Sequence, residues 1–229
     1  MATILVVEDE PDAAEMLAFN LRNAGYEVSL VEDGGKGLKV AKTTRPDLIL
    51  LDYMLPTMSG PEVCRALRGD PATQDVPVIM LTARAEETDR VKGFECGADD
   101  YVTKPYSMRE LMLRVQSILK RRQPVATAGQ QLKAGELLVD LASQTATIQG
   151  EEVRLTSTEM KLLTMLLRAS GHAVTRQQLL TDVWQYAADS DTRTVDSHIK
   201  RLRVKLGPLA HYVETVQGVG YRLAPDRPD

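Results

Sequence analysis

Apolar runs and amphipathic stretches alternate along the first half of the chain. The apolar runs have the length of buried strands and lie near residues 3–7, 27–31, 47–51, 77–81 and 100–103. Stretches with helical spacing separate and follow them, near residues 11–24, 34–43, 60–69, 86–95 and 107–121. Strands that alternate with helices favour a parallel sheet with helices on both faces. We therefore expect an α/β doubly wound domain with a five-stranded parallel sheet over residues 1–122.

The hydrophobic pattern changes beyond residue 122. Residues 123–131 are small and polar and lack apolar periodicity, which is typical of a flexible linker. Short strand-like runs follow near residues 132–140, 145–149 and 152–155. Helices are then predicted from Thr156, over 175–184 and over 192–206, before a terminal hairpin of residues 212–216 and 220–223. This order predicts a second domain, of the α+β class, over residues 132–229.

Polar side chains stand at the carboxyl ends of four predicted parallel strands. Glu8 and Asp9 follow the first strand, and the others are Asp52, Thr82 and Lys104. Ligands of open α/β sheets bind just beyond these strand ends, so we expect the five side chains to share one pocket. Each alone is more often a turn residue, a strand-end hydroxyl or a solvated charge. Their common placement favours a functional site.

The carboxylates of this pocket predict a divalent cation such as Mg²⁺. Crowded carboxylates repel one another unless a cation neutralises them, and Mg²⁺ prefers carboxylate, carbonyl and water oxygens. Asp9 and Asp52 can each supply a carboxylate oxygen, and the backbone carbonyl of Met54 a third ligand. Glu8 can hold a metal-bound water.

Asp52 is the predicted phosphoacceptor of this pocket. Its carboxylate can act as a nucleophile toward a phosphoryl donor and form an aspartyl phosphate. Lys104 can pair with the phosphoryl oxygens, and Thr82 can hydrogen-bond one of them. Phosphoryl transfer requires mainly positioning and charge neutralisation, so few residues suffice. We expect self-phosphorylation and slow self-dephosphorylation, and do not expect an enzyme.

The predicted helix 192–206 has one apolar stripe and a basic opposite face. The stripe consists of Val195, Ile199, Leu202 and Leu206. Residues 193–205 contain five basic side chains and one acidic side chain. A helix of this kind fits the major groove of DNA. The residues predicted to lie away from the stripe are Arg193, Ser197, Lys200, Arg201 and Val204, of which Arg201 is the strongest candidate for reading guanine.

Composition and charge narrow the function classes. The chain has 229 residues, 43% of them hydrophobic, which is enough for two small cores. Residues 1–122 carry 16 basic and 20 acidic side chains, and the rest carry 12 of each, so a nucleic-acid site depends on local concentration of charge.

Cys64 and Cys96 are predicted to be buried free thiols, as in a reducing compartment. No signal-like or membrane-spanning segment occurs, so we expect a cytoplasmic protein with no membrane partner.

The motifs of the first half resemble the receiver domain of two-component response regulators. They are Val6–Glu10, Leu50–Pro56, Leu81–Ala83 and Gly97–Pro105. The resemblance implies that Asp52 is the phosphoacceptor, that Glu8 and Asp9 form the acidic metal pair, and that Lys104 binds the phosphate. It implies that Thr82 and Tyr101 are a switch hydroxyl and a switch aromatic. It also implies a cis peptide bond between Lys104 and Pro105.

Residues 130–225 resemble the winged-helix effector domain of the OmpR/PhoB family. The supporting motifs are Leu155–Glu159, Arg176–Leu180, Trp184, Arg193–Arg203 and Gly218–Arg222. The implied DNA contacts are Arg193, Thr194, Ser197, His198, Lys200, Arg201, Arg203, Thr215, Gly218, Tyr221 and Arg222. Trp184 and Gln177 are implied contacts with RNA polymerase, through its sigma subunit. The chain departs from the family pattern at Gln177, Gln185 and Gln217, and the last replaces the usual arginine of the wing.

The resemblance also implies how the two domains are coupled. Phosphorylation adds negative charge and acceptor oxygens, and Thr82 and Tyr101 respond to it. The response is a two-fold homodimer that places two recognition helices on one DNA. The implied dimer residues are Arg90, Glu95, Asp99, Asp100, Glu110, Arg114 and Arg121, with Arg90–Glu110 and Asp100–Arg114 as pairs.

The partners implied by the resemblance are a sensor histidine kinase, double-stranded DNA and RNA polymerase. Control of phosphate-starvation genes is the specific expectation, and a regulator of the same family that answers another stimulus stays open. A constitutive DNA-binding protein with an inactive receiver is a second alternative. A haloacid-dehalogenase-like phosphatase is a third, although the second carboxylate it requires would fall at Met54.

Overall fold

The computed structural model describes residues 1–83, 96–120, 131–184 and 193–225. By internal contacts the chain divides into two compact units, Met1–Lys120 and Arg121–Asp229. The predicted linker 123–131 and the predicted helix 86–95 lie outside the described residues, apart from Gln131, which already begins a strand. None of the described helices is both long enough and apolar enough to cross a lipid bilayer.

The first unit has the predicted five-stranded parallel sheet, in the order β2-β1-β3-β4-β5. Its strands are β1 (Thr3–Val7), β2 (Glu27–Val31), β3 (Leu48–Asp52), β4 (Val78–Ala83) and β5 (Asp100–Lys104). Every residue of the central strand β3 is buried, because helices cover both faces of the sheet. The described helices are α1 (Pro11–Asn23), α2 (Gly34–Thr44), α3 (Gly60–Arg68) and α4 (Met108–Lys120).

Two apolar layers, one on each face of the sheet, pack it against the helices. Side chains alternate along each strand, so Leu5 and Ile49 join the layer that includes α3, while Ile4 and Leu50 join the layer that includes α1 and α4. A capping box at Ser59 and Glu62 begins α3, with Glu62 accepting from the Ser59 backbone N–H at 2.9 Å.

The second unit contains two antiparallel sheets and a set of helices. Strands β6 (Gln131–Ala134), β7 (Leu137–Asp140), β8 (Thr145–Ile148) and β9 (Glu151–Val153) form the first sheet. The remaining elements are α5 (Ser157–Arg168), β10 (Val174–Thr175), α6 (Arg176–Leu179), a π-helix (Leu180–Trp184), α7 (Arg193–Leu206), a 3₁₀ helix (Gly207–Tyr212), β11 (Val213–Val216) and β12 (Gly220–Leu223). β11 and β12 form the predicted hairpin, and β10 pairs with β12.

Two predicted elements of this unit are subdivided in the structure. The single strand predicted over 132–140 is two strands, because the chain turns at Gly135, which has φ +55°. An added Cβ at Gly135 would lie 2.5 Å from the hydroxyl of Tyr212, so the turn fits closely against the core. The helix predicted over 175–184 is a short α-helix that continues as the π-helix.

Candidate functional sites

The parallel register brings the predicted strand-end residues to one edge of the sheet. Leu51 of β3 lies beside Val7 of β1, so Asp52 and Glu8 follow at the same level. Thr82 of β4 and Lys104 of β5 stand at the same edge, one and two strands beyond β3. The site therefore forms because its residues stand at the ends of strands that parallel pairing aligns, and no long loop is needed.

Lys104 joins the two buried carboxylates of this site. Its Nζ lies 2.8 Å from Oε2 of Glu8 and 3.1 Å from Oδ2 of Asp52. The other Asp52 oxygen, Oδ1, accepts a 2.7 Å hydrogen bond from the Tyr53 backbone N–H. The peptide bond between Lys104 and Pro105 is cis, which confirms that expectation.

The electrostatics of Glu8 and Lys104 depend on each other. Burial raises the pKa of Glu8, the hydrogen bond from Lys104 opposes this, and the Asp52 carboxylate raises it again. Burial lowers the pKa of Lys104, but its contacts with Glu8 and Asp52 outweigh burial, so that pKa lies above the ordinary value. Two carboxylates thus share one ammonium group.

The acidic residues of the site are arranged to accept a cation. One oxygen each from Glu8, Asp9 and Asp52 lies within 4.8 Å of the others. Glu8 and Asp52 are buried and Asp9 is exposed, so the cluster opens to solvent on one side. Oε1 of Glu8 is buried and has no hydrogen-bond partner among the described residues. A hydrated Mg²⁺ fits this donor set, since it would neutralise the charge and satisfy that oxygen.

The loop after β3 is fixed against α2 and α3. The Thr57 hydroxyl donates to Oδ2 of Asp33 at 2.7 Å, and the Gly60 N–H donates to the Tyr53 carbonyl at 2.9 Å. Met54, the predicted carbonyl ligand, lies in this loop two residues beyond Asp52, with its side chain 68% exposed. Asp33 and Thr57 were not predicted from the sequence, and their only signal was a capping residue before α2.

The predicted switch residues occupy different environments. Thr82 is buried near the end of β4. Tyr101 is half-buried against the apolar layer on the α3 face, and its hydroxyl lies 3.4 Å from Sγ of Cys96. Cys64 and Cys96 are both buried free thiols, as expected from the sequence.

The described residues of the predicted dimer surface make ion pairs inside their own chain. Arg114 contacts Asp100 at 3.1 Å and also pairs with Glu110 four residues before it. Asp99 is 4% exposed, and its Oδ2 accepts from Arg68 at 2.7 Å and from the Val78 N–H at 3.0 Å. The structure thus gives Asp99 an internal structural role that its sequence position did not indicate. Arg90, Glu95 and Arg121 lie outside the described residues.

Helix α7 has the predicted amphipathic division. Val195, Ile199, Leu202 and Leu206 are all fully buried. Lys200 and Val204 are exposed on the opposite side, and Ser197 is half-buried beside them. The backbone of Arg193 begins this helix, and its side chain lies outside the described part of the structure.

Two residues predicted to contact DNA lie on a buried flank of α7. Thr194 is 6% exposed and His198 is 1% exposed. The His198 ring packs edge-on against Trp184 with centroids 5.0 Å apart, and its Nδ1 accepts from Nη2 of Arg201 at 2.9 Å. The sequence places both residues correctly on the flank of the stripe, but the structure buries that flank, with Trp184 of the π-helix against His198.

Arg203 and Tyr221 belong to a polar network between α7 and the hairpin. Arg203 donates from Nε and Nη2 to the Val213 carbonyl at 2.9 and 2.7 Å, and from Nη2 to the hydroxyl of Thr215 at 2.9 Å. Its guanidinium also lies 5.7 Å from the centroid of the Tyr221 ring. These contacts fix the helix relative to the hairpin, a role that the sequence did not reveal.

A second part of this network surrounds Asp196, the acidic residue of α7. Its Oδ1 accepts from Nε of Arg176 at 2.8 Å and from the Tyr221 hydroxyl at 2.6 Å. Arg176 also lies over the Tyr221 ring, 4.9 Å from its centroid. Burial and the hydrogen bond to Asp196 raise the pKa of Tyr221. A single acidic residue in a basic helix was the available sequence signal for this network.

The hairpin tip and the predicted polymerase surface differ in exposure. Gly218 is exposed at the tip with φ +73°, and Arg222 pairs with Glu214 at 2.7 Å.

The predicted polymerase contacts are not freely exposed. Trp184 is fully buried in the core, which is at odds with direct contact between its ring and the polymerase. Gln177 is half-buried, and its Nε2 has no hydrogen-bond partner among the described residues.

Comparison with known proteins agrees with this geometry. Residues 4–116 match the response regulator receiver domain family, and residues 150–223 match the family described as transcriptional regulatory protein, C terminal. Sensory transduction protein RegX3 of Mycolicibacterium smegmatis is 44% identical over 97% of this chain and 99% of its own. The phosphate regulon transcriptional regulatory protein PhoB of Pseudomonas aeruginosa is 44% identical over 97% of each chain.

A solved receiver domain matches the first unit. It belongs to the sensor histidine kinase PA1611 of Pseudomonas aeruginosa, and its structure has a magnesium ion coordinated in the active site cleft. It is 36% identical, with a TM-score of 0.50, and covers 52% of this chain and 98% of its own.

Proposed function

Because the chain belongs to the OmpR/PhoB-type family of two-component response regulators, we propose that phosphorylation of Asp52 controls its binding to DNA. A sensor histidine kinase supplies the phosphoryl group. The observation that supports this most directly is the cluster of Glu8, Asp52 and Lys104, in which one ammonium group contacts both buried carboxylates. An inactive receiver would have no need to keep this costly arrangement of buried charges.

In the proposed reaction, an Asp52 carboxylate oxygen attacks phosphorus while the bond from phosphorus to the donor histidine breaks. Asp9, Asp52 and the Met54 carbonyl would hold Mg²⁺, and Glu8 would hold one of its waters. When bound, the ion neutralises charge on the phosphoryl oxygens. Tyr53 N–H fixes the carboxylate through Oδ1, so its orientation does not depend on the ion.

Lys104 and Thr82 receive the new phosphoryl group. The Lys104 ammonium, freed from Asp52, pairs with a phosphoryl oxygen, and the Thr82 hydroxyl donates to another. Movement of Thr82 and Tyr101 then favours a homodimer through the surface that includes Asp100, Glu110 and Arg114. For the described part of that surface, dimerisation requires exchange of the internal Arg114 pairs for pairs between subunits.

The dimer places two copies of α7 on DNA with repeated half-sites. Ser197 and Lys200 face the major groove, and Arg201 reaches it by leaving its contact with His198, while the hairpin around Gly218 reaches the sugar–phosphate backbone or minor groove. Because its DNA target lies in the cytoplasm, we propose that compartment as the site of action. Gln177 is the remaining candidate for polymerase contact, with the sigma subunit as partner. The PhoB relative makes phosphate limitation the first stimulus to test.

The test is intact-mass analysis combined with DNA binding. Full-length protein is treated with acetyl phosphate and Mg²⁺, and is compared with Asp52→Asn and with Asp12→Asn, an acidic residue of α1 outside the site. Wild type and Asp12→Asn should gain one phosphoryl group and bind DNA more tightly, whereas Asp52→Asn should do neither. Mass gain in Asp52→Asn, or unchanged DNA affinity in wild type, would contradict the proposal.

A further inference from the structure

Val204 is an exposed aliphatic residue on the basic face of α7. Its relative exposure is 75%, and among the large hydrophobic residues that the structure describes only Met1 is more exposed. Lys200 lies one turn before it and Ser197 two turns before it, on the same face. The apolar stripe of the helix faces the opposite way and is completely buried. Val204 therefore contributes nothing to the core of its domain.

The charges around Val204 favour a polyanion as the partner. Between Arg193 and Lys205 the helix has five basic residues, and its one acidic residue, Asp196, is bound by Arg176 and Tyr221. Arg203 is directed to the hairpin through the Val213 carbonyl, Arg201 contacts His198, and Lys205 pairs with the buried Glu159 at 2.6 Å. Lys200 therefore supplies the exposed positive charge beside Val204. An apolar side chain beside an exposed ammonium group matches a surface that combines phosphates with an apolar group.

We propose that Val204 contacts the 5-methyl group of a thymine in the major groove and so helps to determine the DNA sequence that is bound. This inference rests on the proposed DNA binding. The thymine methyl is the apolar feature that the major groove presents, and cytosine has only hydrogen at that carbon. Burial of one methyl group between Val204 and the base corresponds to a preference of about three- to fivefold for thymine.

The experiment removes the methyl group from the DNA without changing its hydrogen bonds. Duplexes that bind the full-length protein treated with acetyl phosphate and Mg²⁺ are first selected from a random-sequence pool. Each thymine of the selected site is then replaced singly by deoxyuridine, and affinities are measured for wild type, Val204→Ala, Val204→Thr and Lys200→Ala.

We expect one thymine in each half-site at which deoxyuridine weakens wild-type binding about three- to fivefold. Val204→Ala should bind the two duplexes equally, and Val204→Thr should show a reduced ratio. Lys200→Ala is the matched control, because loss of a phosphate contact should weaken binding to both duplexes and lower the salt dependence by about one unit of slope, with the ratio intact.

The possible failures are distinguishable. If wild type selects a site but no thymine shows a loss that depends on Val204, the inference is wrong and the proposed DNA binding stands. If Val204→Ala binds DNA like wild type with the same ratio, the inference is likewise wrong. If wild type selects no site, both the proposed function and this inference fail.

Discussion

Lys104 is the residue on which the charge balance of the phosphoacceptor site depends. It is the cation that contacts both Glu8 and Asp52, whose side chains are 1% and 9% exposed. Removal of one member of a buried ion pair leaves an uncompensated charge, and this costs more than the pair itself contributes. The Lys104 side chain is 28% exposed, so solvent reduces that cost.

Lys104→Met should therefore destabilise the metal-free receiver by about 1–3 kcal/mol. Mg²⁺ should recover part of this loss, because it replaces the missing positive charge. Urea unfolding with and without Mg²⁺ measures both effects. Lys42→Met is the control, since Lys42 pairs with Asp70 at the surface and its loss should change stability by less than about 1 kcal/mol regardless of Mg²⁺.

Glu8 should give the metal-free protein a recognisable pH dependence. Its pKa in the folded state is raised, so the folded protein binds this proton more tightly than the unfolded chain. The stabilisation is complete below the ordinary glutamate pKa and is lost as the pH rises through the raised value. Glu8→Gln should remove this loss, so the variant gains stability relative to wild type over the pH range above the ordinary glutamate pKa. Unfolding titrations over that range, without metal, should show the difference, and parallel curves would contradict it.

The strand-end residues were predictable because their placement is local. Glu8 directly follows a strand, Asp52 and Lys104 each end one, and parallel pairing alone brings such residues together. The hydrogen bonds of the Arg203 side chain to the hairpin were not predictable. A helical projection places it beside the stripe but does not show that the Val213 carbonyl lies within reach.

At the level of elements, α3 begins in close contact with the phosphoacceptor strand. A Cβ at Gly60 would lie 2.2 Å from the Asp52 carbonyl oxygen and 2.9 Å from Sδ of Met80. Only glycine allows this approach, because backbone atoms cannot move aside as a flexible side chain can. The start of α3 therefore holds the end of β3 in place.

Gly60→Ala should destabilise the receiver by about 1–3 kcal/mol and slow phosphorylation of Asp52. Helix propensity alone predicts a gain of about 1 kcal/mol, so the sign of the change identifies the close contact. Gly69→Ala is the control at the other end of α3, where the nearest atom would lie 3.5 Å away. Chemical unfolding and phosphorylation rates should separate the two variants.

The accuracy of the predicted elements followed the strength of their periodicity. The strand predicted over 47–51 is observed at Leu48–Asp52, because its apolar run is bounded by prolines. The strand predicted over 132–140 was wrong in its middle, since apolar alternation continues through the turn at Gly135. Thr194 and His198 show a related limit: the stripe predicts which side of α7 is buried, but not how far its neighbours cover the flanks.

For the whole molecule, the two units have separate cores. Two apolar clusters lie within Met1–Lys120, and a third lies within Arg121–Asp229 and includes Trp184. A core of its own is what allows a domain to fold alone. We therefore expect each unit to fold without the other.

Separate fragments of residues 1–120 and 131–229 should each unfold cooperatively. The first should be phosphorylated as fast as the full chain, because the site residues all lie within it. The second should bind DNA with an affinity that acetyl phosphate does not change. Thermal unfolding and DNA titration test this, and a failure of either fragment to fold would show that the cores depend on each other.

The origin of the site at strand ends has a consequence for how such proteins diversify. The reactive groups are fixed by the sheet, while solvent-facing positions of the helices, such as Phe19 at 64% exposure, bear little of the folding energy. Duplicated genes can therefore acquire new recognition surfaces by surface substitution while inheriting the same chemistry unchanged.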